Sequence, residues 1–367
     1  MNLLKEVRPG ANRYVSGDGV LKDLPQYLEN YNRVVIISGE VSYQKFTEVY
    51  GEELPYTRFI YDGSASDEDG ERLAREIHHA DVVLGIGGGR LLDTAKLAAE
   101  SLQTDLILIP TLASNCAPYA PVAAVYNHTE HSFKRMGLFT YAATLTFVDY
   151  RLMLETPKEY FIAGIGDTLA KWYEIEGIAR NLDEDTKTAC VRLGIASARE
   201  TLNILLADAT QSLLDLENRQ ATATFGRVVD TIIALSGTVG GFATVYGRTA
   251  GAHAIHNALS QIPEMYSVLH GAKVAYGIFV QLAYTEDWQE IEELLPLYHQ
   301  LNLPMSLEEL GLSNTDEQQL QEVAKGAASP EESFKAIDTQ VTQEKVWQAM
   351  QDLEKFIQRK NAETLTH

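Results

Sequence analysis

The chain has 367 residues, of which 45% are hydrophobic and 22% are charged, a balance typical of a globular protein with two domains. Its 51 acidic and 30 basic residues give a formal net charge of −21, which argues against nucleic acids and anionic membranes as partners. No apolar run is long enough for a membrane-spanning helix, and the first residues lack the apolar core of a signal peptide. With two cysteines and no disulfide framework, we expect a cytoplasmic protein.

Short apolar runs alternate with helical patterns through residues 1–150. Strands are predicted at 33–38, 57–61, 82–86, 106–109 and 122–126. Helices are predicted at 19–30, 42–50, 66–79 and 90–102. Strands separated by helices of this length indicate a mostly parallel, Rossmann-like sheet with crossover connections.

The third predicted strand runs into Gly87, Gly88 and Gly89, and these glycines run into the next helix. Without side chains the backbone can approach a pyrophosphate, and the N–H groups of the helix start then point towards it. A tight strand–helix turn is the alternative, because the spacing is not that of the usual dinucleotide fingerprint. One turn into the helix, Asp93 could cap the N–H groups or bind a cofactor hydroxyl. Lys96 could neutralise a phosphate or simply face solvent.

Small hydroxyl and amide residues follow the strand at 106–109, in the loop 110–118. Open α/β sheets bind ligands at the carboxyl ends of their strands. Thr111 and Ser114, together with Tyr126 on the next strand, are therefore candidate cofactor contacts. Ordinary turn chemistry is the alternative for these residues.

Strand signals end after Asp149, and helical patterns follow at 186–206, 221–239, 274–284 and 343–358. We therefore predict an α/β dinucleotide-binding domain over residues 1–152. An all-α domain that binds metal and substrate is predicted over residues 153–367.

Three histidines lie close together in a chain that has nine: His253, His256 and His270. His253 and His256 share one face of a predicted helix over 250–259, and a second helix, which opens at His270, can return to that face. Two imidazoles and a carboxylate, with one position open, form the ligand set of a catalytic divalent-metal site. Isolated histidines, by contrast, are more often ordinary core or surface residues. Asp167, at the predicted start of a helix, is the candidate carboxylate, with a helix-capping role as the alternative.

Four collinear motifs resemble those of the iron-containing alcohol dehydrogenase family, on its glycerol dehydrogenase side: GIGGGRLLDTAK, PTLASNCAP, GIGDTLAKWYE, and AHAIHNAL with HGAKVAYG. The resemblance covers nearly the whole chain. It implies the architecture shared with dehydroquinate synthase, in which an N-terminal dinucleotide-binding domain precedes a helical domain. Within the family, the GIGDTLAKWYE and HGAKVAYG motifs are most similar to those of hydroxycarboxylate dehydrogenases, which reduce 2-oxo acids.

Site residues follow from the resemblance by position. It implies that Asp167, His253 and His270 bind the metal, with zinc favoured over iron, and that His256 lies close to the nicotinamide and the substrate. It also implies a homo-oligomer. The implied contacts of the cofactor, NAD(P)H, are Gly88, Gly89, Arg90, Asp93, Thr111, Ser114, Val122 and Tyr126.

Two departures from the family pattern concern the substrate and the cofactor. Glycerol dehydrogenases have an aspartate that binds the polyol in the loop corresponding to 114–118, and Cys116 stands in its place. A thiol is a weak hydrogen-bonding group, so a triol has no strong anchor there. Ser38 and Gly39 end a strand without the acidic residue that would bind an adenosine ribose and repel a 2′-phosphate. This favours NADP(H), or use of both nucleotides.

Lys171 is a third departure. It follows Asp167 by one helical turn, at a place where related enzymes have a histidine ligand or an uncharged residue. A fixed cation beside a metal suits a substrate carboxylate, and we expect Lys171 to bind that carboxylate together with Arg248. Pairing of Lys171 with Asp167 or Glu174 is the alternative.

These patterns together predict a metal-dependent NAD(P)H oxidoreductase that interconverts small 2-oxo and 2-hydroxy acids by hydride transfer, with His256 and Lys171 as catalytic residues. A polyol or simple alcohol dehydrogenase on the same scaffold is the nearest alternative. A lyase similar to dehydroquinate synthase is more remote, because the basic residues that bind its phosphate-bearing substrate are not found in this sequence.

Overall fold

A computed structural model describes residues 6–129, 132–313 and 315–364, and the chain divides into two compact units. The sheet unit contains Arg8–Phe161 and Gln211–Gly241, and among the described residues the helical unit contains 6–7, Ile162–Thr210 and those from 242 to 364. The predicted domain limits at 152 and 153 stay a prediction. The compact units differ from them chiefly because Gln211–Gly241 groups with the N-terminal part of the chain. Nowhere in the described ranges is a helix both long enough and apolar enough to cross a membrane.

A parallel sheet and a separate hairpin form the core of the sheet unit. Its strands are β1 (Tyr14–Gly17), β2 (Val34–Ser38), β3 (Thr57–Ile60), β4 (Val82–Gly87), β5 (Asp105–Pro110), β6 (Val122–Tyr126), β7 (Phe133–Leu138) and β8 (Leu145–Asp149). Over the described residues, the large sheet has the order β1-β8-β5-β4-β2-β3, and all of its neighbouring strands are parallel. The predicted Rossmann-like parallel sheet is thus confirmed.

The remaining elements are helices. In chain order they are α1 (Leu24–Leu28), α2 (Glu40–Tyr50), α3 (Asp67–Ile77), α4 (Gly89–Leu102), α5 (Tyr150–Met153), α6 (Lys158–Ala179), α7 (Ala189–Glu217), α8 (Ala223–Asp230), α9 (Ser236–Phe242), α10 (Gly251–Leu259), α11 (His270–Tyr284), α12 (Trp288–Leu301), α13 (Glu317–Ala327) and α14 (Gln343–Thr364). Short 3₁₀ turns occur at Val20–Asp23, Thr244–Gly247, Pro263–Met265 and Ser333–Ala336. The helical pattern predicted at 221–239 is divided by a π-helical turn at Thr231–Leu235.

The central strands β2, β4 and β8 are buried along their whole length, as expected for parallel strands covered on both faces. Gly85 lets α4 pack closely on β4, because a Cβ at this position would lie 2.8 Å from Cβ of Ala95. The strand predicted at 122–126 is present as β6, but it pairs with β7 in an antiparallel hairpin outside the large sheet. Strands β7 and β8 were not predicted; most residues of β7 are exposed, whereas those of β8 are buried.

Two glycines of α11 set the packing of the helical unit. A Cβ at Gly271 would lie 1.8 Å from the carbonyl oxygen of Ala163 in α6, and a Cβ at Gly277 would lie 2.3 Å from that of Ala252 in α10. Backbone oxygens inside helices cannot move independently, so these close approaches require glycine. Helix α11 therefore contacts both α6 and α10, and its first residue, His270, lies beside side chains from both helices.

Candidate active site

Asp167, His253 and His270 direct their polar atoms towards one another. Oδ1 of Asp167 lies 3.1 Å from Nε2 of His270 and 3.4 Å from Nε2 of His253. One potential ligand atom from each residue lies within 4.8 Å of the other two. Asp167 and His253 are buried, whereas the His270 side chain is 50% exposed. The cluster is therefore buried on one side and open to solvent at His270.

The helix that carries Asp167 is longer than the sequence indicated. Helix α6 begins at Lys158, so Asp167 lies well inside the helix and not at its start. The capping alternative for Asp167 is therefore wrong, because helix caps act on the unpaired N–H groups of the first turn. Its carboxylate projects from the middle of α6 towards the two histidines.

A second buried carboxylate supports the cluster. Oε2 of Glu174 lies 2.8 Å from Nδ1 of His253. The other oxygen, Oε1, accepts the backbone N–H groups of Ala250 at 2.6 Å and His253 at 3.0 Å. An ionised carboxylate can only accept, so Nδ1 of His253 carries a proton and Nε2 faces Asp167. From the sequence, Glu174 was predicted only as an alternative partner of Lys171. Its place two helical turns after Asp167, on the same face, was a usable signal.

Neighbouring charges shift the pKa values of Asp167 and His253 in opposite directions. Burial by itself would raise the pKa of Asp167, but His270 and hydrogen bonds from both histidines hold it well below its usual value. Burial would lower the pKa of His253, but Glu174 and Asp167 raise it to about 9. Without a metal ion, the ionised carboxylates thus keep a proton on the His253 imidazole, and a metal ion that binds there would displace it. A carboxylate oxygen and two imidazole nitrogens form a donor set that fits Zn²⁺ or Fe²⁺.

Lys171 brings a positive charge to this cluster. Its Nζ donates a 3.4 Å hydrogen bond to the carbonyl oxygen of Arg248. After the larger effects of burial and of the histidines, the charge of Lys171 further lowers the pKa of both Asp167 and Glu174. The structure therefore brings Lys171 together with the main chain of Arg248, as well as with the acidic residues.

His256 lies on the exposed side of the histidine group. The centroid of its ring is 4.1 Å from that of His270, and its Nδ1 lies 3.0 Å from Oδ1 of Asn257. Burial, followed by the nearby charges of His270, His253 and Lys273, holds the pKa of His256 well below its ordinary value. Its imidazole is therefore neutral near pH 7 and keeps one nitrogen lone pair.

The sheet unit contains the predicted glycine junction. Strand β4 ends at Gly87, Gly88 precedes α4 in an extended conformation, and the helix begins at Gly89. Within α4, which is described throughout, no side chain caps the first turn and no acidic residue occupies it. The guanidinium of Arg90 lies 4.6 Å from the centroid of the Tyr126 ring. This helix start fits a pyrophosphate, because its N–H groups and the cation beside it favour an anion.

Asp93 and Lys96 form a buried ion pair that the sequence did not indicate. Nζ of Lys96 donates to Oδ1 of Asp93 at 2.8 Å and to the carbonyl oxygen of Val122 at 2.7 Å. The backbone N–H of Ala124 donates to Oδ2 of Asp93 at 3.0 Å. Both side chains are buried, so the predictions that Lys96 faces solvent or a phosphate, and that Asp93 caps α4, are wrong. The pair instead fastens β6 to α4, and any cofactor hydroxyl would compete with the internal partners of Asp93.

The other predicted cofactor contacts surround the loop after β5. Thr111 is buried, and its N–H donates to the carbonyl oxygen of Gly87 at 3.0 Å, which joins this loop to the glycine junction. Ser114 is half-buried and accepts a long, 3.5 Å hydrogen bond from Asn115. Cys116 is half-buried too, and its carbonyl oxygen accepts N–H groups from the turn that follows. Thr111 and Ser114 thus lie where the sequence placed them, at the carboxyl end of β5.

Ser38 ends β2, and its side chain is fully buried. Its Oγ has no hydrogen-bond partner among the residues that the structure describes. The first exposed group beyond it is Glu40, whose carboxylate lies 3.1 Å from the guanidinium of Arg58 on β3. The Ser38 side chain is therefore closed to solvent, whereas the Glu40–Arg58 ion pair that follows it is accessible.

Comparisons with known proteins agree with this arrangement. A family model described as iron-containing alcohol dehydrogenase matches residues 11–150. The chain is 35% identical to hydroxycarboxylate dehydrogenase A of Escherichia coli over 355 residues, which cover 95% of this chain and 97% of that protein. It is 31% identical to glycerol dehydrogenase of Thermotoga maritima over 360 residues, which cover 94% and 95%. The crystal structure of glycerol dehydrogenase from Schizosaccharomyces pombe matches with a TM-score of 0.87 and 26% identity, covering 98% of this chain and 93% of that one.

The fold and these relatives define the class as dehydrogenases that act on alcohol groups. The chain belongs to the iron-containing alcohol dehydrogenase family. The resemblance carried by the four sequence motifs is thus confirmed.

Proposed function

We propose that the protein is a metal-dependent oxidoreductase that interconverts 2-oxo acids and 2-hydroxy acids with NAD(P)H. The observation that carries the proposal is the cation of Lys171, one helical turn from Asp167 and beside the candidate metal cluster. A 35% identical relative is named hydroxycarboxylate dehydrogenase A, and hydroxycarboxylates are the class of substrate proposed for this protein. Self-association and a cytoplasmic location stay predictions from the sequence.

Asp167, His253 and His270 are the proposed metal ligands, with zinc favoured over iron. Bound there, the ion would polarise the substrate carbonyl, and the nicotinamide would supply the hydride. Glu174 holds His253 in the tautomer that a ligand needs, since its carboxylate accepts the Nδ1 proton. Three protein ligands leave a coordination position for substrate, as in other catalytic zinc sites.

Lys171 is proposed to bind the carboxylate of the substrate, with Arg248 beside it. A charge-assisted hydrogen bond from an ammonium group fixes the acid at one end of the molecule, and so orients the neighbouring carbonyl. Neutral His256 is proposed to accept a hydrogen bond from the substrate hydroxyl and to provide a route for its proton. Both residues belong to the same unit as the candidate ligands.

The proposed cofactor is NADP(H), or both nucleotides. Strand β2 ends in Ser38 and Gly39, and the carboxylate that follows, Glu40, already has Arg58 as a partner. A neutralised carboxylate repels a 2′-phosphate less than an unpaired one does, and an arginine can bind that phosphate. Dissociation constants of NADH and NADPH, measured by the fluorescence of the reduced nicotinamide, test this point. NADH binding that is at least about 10-fold tighter, which corresponds to ~1.4 kcal/mol, would show the proposal to be wrong.

A polyol dehydrogenase is the second candidate, because a 31% identical relative is named glycerol dehydrogenase. Cys116 is the residue that argues against it, since a thiol lacks the charge that would anchor a polyol. The dehydrogenase relatives give the lyase alternative no support.

The decisive experiment compares Lys171→Ala with the wild type on 2-oxobutyrate, butanone and dihydroxyacetone. We expect kcat/KM for 2-oxobutyrate to fall about 10- to 100-fold, the value of a hydrogen bond to a charged group. The value for the neutral ketones should change little. Lys158→Ala is the matched control, because Lys158 is an exposed lysine of the same helix and pairs with Glu217.

Turnover should also stop with a chelator and return with zinc. Equal losses on acid and neutral substrates would contradict the role of Lys171. A preference of the wild type for dihydroxyacetone would favour the hypothesis of a polyol dehydrogenase instead.

A further inference from the structure

A hydrogen-bond chain leads from His256 to a residue far along the sequence. Nδ1 of His256 lies 3.0 Å from Oδ1 of Asn257. Nδ2 of the same amide donates to both carboxylate oxygens of Glu332, at 3.0 Å and 3.3 Å. Glu332 directly precedes the 3₁₀ turn Ser333–Ala336, where Ser333 donates its hydroxyl to the carbonyl oxygen of Ala250 at 2.7 Å. The carboxylate is therefore held beside α10, the helix that carries His256.

The chain has a defined polarity. An ionised carboxylate has acceptors and no donor, so the amide of Asn257 must turn its NH₂ group towards Glu332. This leaves its carbonyl oxygen facing His256. A carbonyl oxygen can only accept, so Nδ1 of His256 must be the donor. In a neutral imidazole the other nitrogen, Nε2, then has an unprotonated lone pair.

The contact between Nε2 of His256 and Ser260 favours the opposite tautomer, in which Nε2 carries the proton. This contact is weaker than the one between Nδ1 and Asn257. Oγ of Ser260 lies 3.4 Å from Nε2 of His256 and 2.8 Å from the backbone oxygen of the same residue. If the Ser260 hydroxyl donates to that backbone oxygen, it could only accept at Nε2. A separation of 3.4 Å is near the limit of a hydrogen bond, whereas the 3.0 Å contact to Asn257 is of ordinary length. The bond to Asn257 is also strengthened by the charge of Glu332 further along the chain.

We propose that Glu332, acting through Asn257, is a positioning residue that keeps the proton of His256 on Nδ1 and presents Nε2 as an acceptor for the substrate hydroxyl. The identity of that hydroxyl rests on the proposed function. The hydrogen-bond chain does not, since it consists of residues of this protein alone. The same device occurs at His253, where Glu174 fixes the tautomer directly, so each histidine of α10 has its own carboxylate.

The test reads the tautomer of His256 directly, in the zinc-loaded protein with nitrogen-15 histidine and a deuterated background. The His256 signals are assigned by their loss in His256→Gln. We expect Nδ1 of the wild type to show the chemical shift of a protonated ring nitrogen and Nε2 that of an unprotonated one. The reverse assignment in the wild type would overturn the proposal.

Variants then separate the two contacts. Glu332→Ala should mix the two tautomers, because the Asn257 amide can then rotate, whereas Ser260→Ala should leave the spectrum unchanged. Asn257→Asp combined with Glu332→Gln should restore the wild-type tautomer, because the glutamine NH₂ then donates to a carboxylate that accepts from Nδ1. Unchanged His256 signals in Glu332→Ala, or failure of the double variant to restore them, would each overturn the proposal.

Kinetics give the second readout. Glu332→Ala should lower kcat for alcohol oxidation by about 10-fold, the lower end of what supporting carboxylates contribute, with KM nearly unchanged. The double variant should recover most of that loss. Glu331→Ala is the matched control, because it removes an exposed carboxylate one residue away and should retain full activity.

An unchanged kcat in a Glu332→Ala protein with mixed tautomers would overturn the link to the reaction. A preference for polyols over 2-oxo acids would contradict the proposed function but would leave the tautomer result intact. The two failures are thus distinguishable.

Discussion

The two candidate sites of this protein are built in opposite ways. In the helical unit the site consists of side chains: Asp167 and the histidines face one another, and Glu174 orients one of them. In the sheet unit the site consists of backbone, at the start of α4, and the nearby charges of Asp93 and Lys96 are buried in an internal pair.

This difference decides what a substitution can do. A side-chain site can lose its ligand chemistry and still keep its fold, because one functional atom is removed. A backbone site is disturbed only when the elements that hold it move. Gly271 of α11 is a structural residue that lies next to functional side chains, so a substitution there should affect both the packing of the helices and the site.

The largest effect is expected for Gly271→Ala. The added methyl group would meet the carbonyl oxygen of Ala163, so α6 and α11 must separate, at a cost of more than ~3 kcal/mol of unfolding free energy. Bound zinc should fall together with stability, because Asp167 and His270 lie on these two helices. Chemical denaturation and metal analysis measure both quantities.

Gly177→Ala is the control for this substitution, since its nearest neighbours are side-chain atoms at 3.2 Å or more. A Gly271→Ala protein with wild-type stability and full zinc content would show that the contact between α6 and α11 does not position the site.

Breaking the buried pair of the sheet unit should come next. Lys96→Met leaves the carboxylate of Asp93 buried without its counter-charge, which should cost about 3 kcal/mol of unfolding free energy. Zinc content should not change, because the candidate ligands belong to the other unit. Asp93→Asn in the Lys96→Met background removes the remaining charge and should recover most of the stability. A stable single variant, or a double variant no better than the single one, would contradict this account.

The smallest expected effect is that of Glu174→Gln. Glutamine keeps the size of the side chain but removes the charge that orients His253, so zinc affinity should fall roughly 10- to 100-fold while the fold remains intact. Zinc affinity is measured by competition with a chelating dye. Glu176→Gln, on the same helix and paired with Arg180, is the control. Equal affinities in the two variants would mean that Glu174 has no part in the metal site.

The fold was largely predictable because its signals are local. Alternating apolar runs and helical patterns identified β2, β4, β5 and β6, and the glycine run located the junction between β4 and α4. Strands β7 and β8 were not predicted. Strand β7 has mostly exposed residues and therefore no apolar run to identify it, whereas β8 was missed although it is buried along its whole length. Likewise, no local signal assigns Gln211–Gly241 to the sheet unit, because that grouping depends on contacts between distant parts of the chain.

The candidate site divides in the same way. Ligand chemistry and spacing selected Asp167, His253 and His270, and the structure brings them together. The hydrogen-bond partners of charged residues were harder to predict. Nothing in the local sequence distinguishes Lys96 from a solvent-exposed lysine, because its bond to Val122 forms only when β6 packs against α4. The position of Asp167 inside its helix was also missed, because Gly166 suggested a helix start, although α6 continues through it. At Gly166 a Cβ would lie 2.8 Å from the carbonyl oxygen of Gly271, so close packing explains this glycine.

The link between α4 and β6 has a consequence for the hairpin. Lys96 and Asp93 hold the backbone of β6 at Val122 and Ala124, whereas the partner strand β7 is largely exposed and its Phe133 ring is 58% exposed. The two strands share one ladder of hydrogen bonds, but β6 is attached to α4 by buried groups, whereas β7 is attached to α3 by the more exposed ion pairs of Lys134 and Arg135 with Asp67. The amide proton of Ala124, which bonds to Asp93 of α4, should therefore exchange with deuterated water far more slowly than the amide protons of β7. The hairpin would then open from its outer strand, while the strand that carries Tyr126 stays in place.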